Sequence, residues 1–265
     1  EDYDQWAEMG NNEWAFKKVL PYFRKLETDL DYGGDFHGQH GPIPVRRAPH
    51  EAWSPLRHAF YEACRAMGFP DDPDVNHPET SGVGARPLNN KGGVRMSSAL
   101  AYLNACQHRP NLTIKPNTTA LRVLFKGRQA IGVEAVHNGE QIRVFGGDVI
   151  LCAGAIESPA LLIRSGVGPS EQVRMLGIPL VLDAPGIGEN LRNHPAVAVR
   201  FPLNQEFRER SVPSHLILRY TATGSHRRND MSIAPLVEEV WDDGVYLPFY
   251  AVLWGGRSVG KLAVI

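Results

Sequence analysis

The chain has 265 residues, 28 Lys+Arg against 29 Asp+Glu and 43% hydrophobic content, enough apolar material for one large domain or two small ones. The near-zero net charge makes no electrostatic case for nucleic acid or an anionic membrane as partner, and no apolar run approaches the roughly 18 residues that a bilayer span needs. Cys64, Cys106 and Cys152 lie far apart without C-x-x-C spacing, which argues against a disulfide framework or a zinc site and favours a reducing, cytoplasmic compartment.

The chain starts at Glu1 without an initiator Met and stops at Ile265 within a strand-like run, so a piece of a larger protein is expected. Trp6, Met9, Trp14, Phe16, Val19, Leu20, Tyr22, Phe23 and Leu26 give the first thirty residues an apolar helical face, broken near residues 10–12 and punctuated by Pro21. Residues 31–44, rich in Gly, His, Asp and Pro, predict a loop. A helix is predicted over 54–67, with Ser54 as N-cap, Pro55 at the first helical position and Gly68 just past the end. Residues 69–84 read as a surface loop, and a third helix runs from Ser97 or Ser98 to Cys106.

A β-meander follows, with strands at 112–114, 121–125, 130–136 and 141–145. Lys126-Gly127-Arg128 turns the chain, and Asn138-Gly139 is a two-residue hairpin signal. Val149-Ile150-Leu151-Cys152 is a continuous apolar run of the kind buried on both faces of a sheet, with Cys152 serving as a small hydrophobe. It ends in Ala153-Gly154-Ala155. Ser158 then reads as the N-cap of a helix through Arg164 that stops at Gly166. After Pro195 helix signals fade, and strands are predicted at 197–201, 215–220, 231–236 and 246–254, with an acid-rich turn over 237–244. A domain boundary is placed at 195/196.

The strand–turn–helix over 149–166 is the most informative feature. Three small residues let a ligand approach the main chain, and the following helix points its N–H groups at the gap. An anionic or dinucleotide ligand fits such a junction, and so does plain strand–helix packing. His37 and His40 sit beside glycines without a third ligand at metal spacing, so no metal site is expected. His194 reads as a polar residue at the crossing into the second domain. Trp241 and Trp254 read as core or sheet-surface packing, with a face on a substrate cavity as the alternative.

Residues 154–169, Gly-Ala-Ile-Glu-Ser-Pro-Ala-Leu-Leu-Ile-Arg-Ser-Gly-Val-Gly-Pro, resemble the second signature of the glucose–methanol–choline (GMC) oxidoreductases. Tyr3-Asp4-Gln5-Trp6, His37-Gly38 with Gly41-Pro42, Arg95-Met96-Ser97-Ser98, Arg109-Pro110-Asn111-Leu112 and Pro185-Gly186-Ile187-Gly188-Glu189-Asn190-Leu191 have family counterparts in the same order. The similarity covers about residues 1–195 and is nearest to choline-dehydrogenase-like members. The resemblance implies an α+β flavoprotein: a mixed FAD-binding domain over 1–195, incomplete here, and the start of an antiparallel-sheet substrate domain over 196–265. It implies FAD as cofactor, a small-molecule alcohol as substrate, and Ala120, Ala153 and Gly154 as residues whose backbone meets the dinucleotide.

Two family features are missing. No G-x-G-x-x-G is present, since the pairs Gly82/Gly84, Gly166/Gly168 and Gly186/Gly188 are followed three residues on by Pro87, Glu171 and Leu191. The family's catalytic His lies beyond Ile265, so no catalytic residue is expected in this chain. Asn193 stands where the family has Asp before His194. A truncated, non-catalytic binding or structural remnant of the same fold is the alternative, and an unrelated flavin or nicotinamide enzyme a more remote one.

Overall fold

The computed structural model describes residues 2–204, 215–236, 239–254 and 259–264. In chain order α1 (Asp2–Glu8), α2 (Phe16–Leu26), β1 (Glu27–Asp29), β2 (Ile43–Val45) and α3 (Pro55–Ala66) come first. They are followed by β3 (Gly82–Ala85), the ribbon β4 (Asn90–Lys91) and β5 (Val94–Arg95), and α4 (Asn104–Cys106), which continues a π-helical turn over Ala99–Leu103. Next are β6 (Thr118–Lys126), β7 (Gln129–His137), β8 (Glu140–Phe145), α5 (Gly154–Arg164), β9 (Val167–Gly168), α6 (Ser170–Met175) and β10 (Leu182–Asp183). The last elements are β11 (Ala196–Pro202), β12 (Leu216–Tyr220), β13 (Met231–Pro235), β14 (Glu239–Trp241) and β15 (Gly244–Leu253). Helices and several sheets mix along the chain, as the α+β reading expects.

The chain divides into two compact units, Glu1–Arg109 with His194–Gly255, and Pro110–Asn193 with Gly256–Ile265. A junction at 193/194 falls close to the boundary read at 195/196, but the linear division is not the division by compactness. The reason is one strand. β3, within the stretch 69–84 read as a loop, pairs antiparallel with β12, matching Val83 to Leu218 and Gly84 to Ile217. It thereby binds the early chain to the late strands.

The six-stranded sheet of the first unit runs in the order β11-β15-β13-β12-β3, with β14 also on β15, and every ladder in it is antiparallel. The four strands expected after Pro195 are all present. The acid-rich turn is only partly one, because β14 occupies Glu239–Trp241; Val237 and Glu238 lie outside the described residues. Val83 and Leu218 are buried with Cys64 of α3, Phe60 and Tyr61 of the same helix packing against them, and Leu216 and Leu247 are fully buried in the sheet. That helix forms as its sequence predicts: the Ser54 hydroxyl accepts from the Arg57 N–H, Pro55 occupies the first turn and Gly68 lies beyond the end. Near the N-terminus, α1 and α2 are separate helices around the expected break, and α2 runs on through Pro21. The stretch 31–44 ends in β2, which pairs parallel with β1.

The second unit holds the β6-β7-β8 meander, with α5, α6 and the short parallel pair β9-β10. The β7–β8 hairpin turns at Asn138 and Gly139, with φ of 50° and 88°, the left-handed pair a two-residue turn requires. Leu112–Ile114, expected as a strand, carries no ladder here. Across the meander Glu134 of β7 stands opposite Arg122 of β6 and Arg143 of β8, accepting from their Nε atoms at 2.7 and 2.9 Å. Hydrogen bonds from Arg122 and Arg143 hold its carboxyl below the usual carboxylate range. A lowered native pKa contributes stability above the unfolded value, lost as pH falls through the native one. Hydrogen-exchange protection factors of β7 amides, each taken against the intrinsic rate at the same pH, are therefore expected to fall as pH drops below about 4.5, and Glu134→Gln to remove that acid limb.

Among the described residues no helix is long and apolar enough to cross a membrane.

Candidate functional site

The three residues expected to meet a dinucleotide all lie in the second unit. Ala120 sits on β6, opposite Ala135 of β7 and half-buried. Ala153 and Gly154 form the N-terminal edge of α5, and both are exposed. α5 packs on β6, fastened at its far end by Ser165, whose buried hydroxyl accepts from the Val123 N–H at 2.8 Å. The strand carrying Ala120 and the helix starting at Gly154 are thus joined.

Gly154 has φ +87°, and the space where a Cβ would stand is open. A side chain there is strained by the backbone, so glycine leaves the main chain bare at the helix start. The Ser158 hydroxyl accepts from the Ala153 N–H at 3.0 Å. This corrects the reading of Ser158 as an N-cap. The helix starts four residues earlier, and Ser158 reaches back from inside it to tie down the turn. The first N–H groups of α5 lack intrahelical partners by construction. A bare, exposed main chain with free donors at a helix N-terminus fits one edge of a dinucleotide such as FAD.

The segment before this turn departs from expectation. Val149-Ile150-Leu151-Cys152 joins no ladder, Ile150 is 82% exposed, and Cys152 is exposed rather than a buried small hydrophobe. A strand buried on both faces needs neighbours on both edges, and among the described residues none flanks this run. Its inner side still contributes, since Val149 and Leu151 line an apolar cavity of about 260 Å³ with Val123, Phe125, Leu162 and Val181.

In the first unit the His194 ring lies 4.4 Å from the ring of Trp254, and Trp254 Nε1 donates to Ser232 Oγ at 2.8 Å. Trp254 also lines a cavity of about 390 Å³ with Arg219, Arg227, Arg228, Asn229 and Asp230. It therefore packs on the sheet and faces a cavity at once, whereas half-exposed Trp241 meets the Tyr246 ring at a tilt and lies beneath the Arg200 guanidinium. What the sequence reading missed is ionic. His37, read as a loop residue, is buried among Asp74, Asp29 and Glu27. The legible part of that signal was the alternation Glu27-x-Asp29, which places two acids on one face of a strand.

Residues 1–196 match the family model described as GMC oxidoreductase. The 5-(hydroxymethyl)furfural oxidase of Methylovorus sp. (strain MP688) is 40% identical over 209 residues, covering 78% of this chain and 39% of that protein. The oxygen-dependent choline dehydrogenase of Burkholderia pseudomallei (strain 1710b) is 41% identical over 204 residues, 76% of this chain and 36% of its own length. This chain thus spans about two fifths of the length of the curated relatives it matches. The crystal structure of pyridoxine 4-oxidase from Mesorbium loti is similar over 98% of this chain and 53% of that one, with TM-score 0.83 and 29% identity. A formate oxidase of Aspergillus oryzae RIB40, solved to follow FAD modification, shares the fold over 99% of this chain and 57% of its own, with TM-score 0.86 and 22% identity. The signature at 154–169, the fold around it and the match over three quarters of the sequence agree, and the chain belongs to the GMC oxidoreductases, a family of FAD-dependent flavoproteins.

Proposed function

We propose that this chain forms part of an FAD-dependent enzyme that oxidises the CH–OH group of a small alcohol, choline-like or another primary alcohol. The observation that carries this reading is the unbroken family match over residues 1–196, joined to relatives named for choline and for a hydroxymethyl compound at about 40% identity. When bound, FAD supplies the two-electron acceptor for hydride leaving the carbinol carbon.

The second unit holds the flavin-contacting residues. Ala153 and Gly154 present bare backbone to the dinucleotide, Ser158 fixes their turn through the Ala153 N–H, and α5 brings its N-terminal dipole to bear on phosphate charge. Ala120 meets the cofactor through its main chain, so its side chain is uncommitted. The antiparallel sheet of the first unit forms the substrate side. No residue of this chain is assigned the proton transfer. Three free cysteines support a reducing, cytoplasmic setting.

The test is made on the full-length enzyme. Wild type is expected to purify yellow and to reduce oxygen or a dye acceptor with choline or an arylmethanol. Gly154→Val should weaken FAD retention tenfold or more, equivalent to about 1.4 kcal/mol, with the far-UV circular dichroism kept. Ala120→Ser should change it by less than about twofold, as a backbone contact predicts. A colourless, inactive wild type would instead support the non-catalytic remnant.

A further inference from the structure

Outside the flavin-contacting region, the first unit contains an ionic cluster that the fold alone leaves unexplained. Glu27 and Asp29 stand two residues apart on β1 and share one face of it. The loop after β1 returns His37 to that face. Gly38 permits this return, because a Cβ there would overlap the backbone carbonyl of Arg24. His37 Nδ1 lies 3.1 Å from Asp29 Oδ2 and 3.6 Å from Glu27 Oε1, and the three donor atoms fall within 4.8 Å of one another. On its other side His37 Nε2 bonds Asp74 Oδ2 at 2.7 Å.

That second contact sets the problem. Nε2 faces one carboxylate, and Nδ1 is turned toward two further carboxylate oxygens. The His37 side chain is only 4% exposed, and its Nδ1 has no hydrogen-bond partner among the described residues. Two carboxylate oxygens buried beside an unbonded ring nitrogen are costly unless positive charge is gathered among them. The wider charge count points the same way. Glu27, Asp29, Asp31 and Asp74 converge here, opposed by Arg47, which bonds Asp29 and Asp74, and by Arg24, whose Nε bonds the His37 carbonyl.

We propose that Glu27, Asp29 and His37 bind a divalent metal ion of the zinc type. Bonds of about 2.0–2.2 Å in a tetrahedron hold ligand atoms roughly 3.3–3.6 Å apart, close to the separations of His37 Nδ1 from its two oxygens. Asp74 then acts as the carboxylate that orients a ligating imidazole through its far nitrogen. Asp29 Oδ1 accepts from the Asp31 and Tyr32 N–H groups and from Arg47, whereas Oδ2 accepts from Arg47 and keeps a second lone pair, so Oδ2 is the atom that takes the ion. The Glu27 side chain is 20% exposed, so water completes the fourth position from that side. The ion fastens β1 to the loop that returns to β2; no catalytic part is assigned to it.

The experiment is equilibrium dialysis of the full-length protein against zinc, with metal content read by mass spectrometry and the bound ion examined by X-ray absorption. Wild type is expected to hold one equivalent of zinc in a nitrogen/oxygen shell containing one imidazole. Glu27→Gln, at the partly exposed ligand, should weaken binding at least tenfold. Asp74→Asn should weaken it about 10–100-fold, as loss of an orienting partner does. Each variant is compared by circular dichroism, and the absorption spectrum of wild type stands even where a variant fails to fold. A wild type that takes up no zinc, a shell without imidazole, or unchanged affinity in folded Glu27→Gln overturns the proposal.

Discussion

Replacing Arg57 by leucine is expected to destabilise the first unit by about 2–5 kcal/mol, the cost of leaving two inward carbonyls without a charged donor. Arg57 lies on α3 and is fully buried. Its Nη1 donates to the Pro235 carbonyl at 2.8 Å and its Nη2 to the Leu236 carbonyl at 3.1 Å, where β13 ends. The guanidinium thus serves as an interior cap on a strand terminus, a task for which five donors in a planar fork are suited. Leucine fills much of the volume and supplies none of the bonds. Urea unfolding of the full-length protein, followed by tryptophan fluorescence, measures the change. A loss below about 1 kcal/mol would show that these carbonyls find other donors.

The second large effect is expected at Gly84. It lies on β3, paired with Ile217 on one side, while the Asp72 N–H donates to the Val83 carbonyl on the other at 2.9 Å. A Cβ on Gly84 would overlap the Asp72 carbonyl oxygen and touch Val75. The obstacle is backbone, so no rotamer relieves it. Gly84→Ala is expected to cost about 3 kcal/mol, the upper end for overpacking a filled interior. Thermal unfolding checks this, and Gly147→Ala, where nothing stands within 4 Å of the added carbon, is the matched control. Gly82 is crowded in the same way, by the Pro70 carbonyl, so the pair Gly82/Gly84 owes its spacing to close packing.

Local signals were readable where they act locally. The Ser54-Pro55 start and Gly68 stop of α3, the Asn138-Gly139 turn and the late antiparallel strands all follow from neighbouring residues. The local reading placed the end of α5 at Arg164 but started the helix at Ser158 instead of Gly154, because a hydroxyl that reaches back to Ala153 has the same composition as a cap. The runs at 112–114 and 149–152 have strand chemistry without strand partners, and pairing is a property of the neighbours, not the segment. β3 is the reverse case: Gly-Val-Gly-Ala has poor strand propensity and forms because β12 offers it a ladder. The cluster around His37 escaped because its acids come from β1 and Asp74, distant in sequence from one another and outside any metal-motif spacing.

The pairing of β3 with β12 also bears on the order of events during synthesis. Val83 leaves the ribosome long before its partner Leu218, and all of residues 110–193 are made in between. Closing so long a loop carries an entropic cost that only later contacts offset. The β6-β7-β8 meander, whose pairings are between neighbours in sequence, can form while β3 is still waiting. During that interval Val83, fully buried in the finished sheet, has no cover. The span between these two strands is where a nascent chain of this protein is most exposed to misassembly and to chaperone capture.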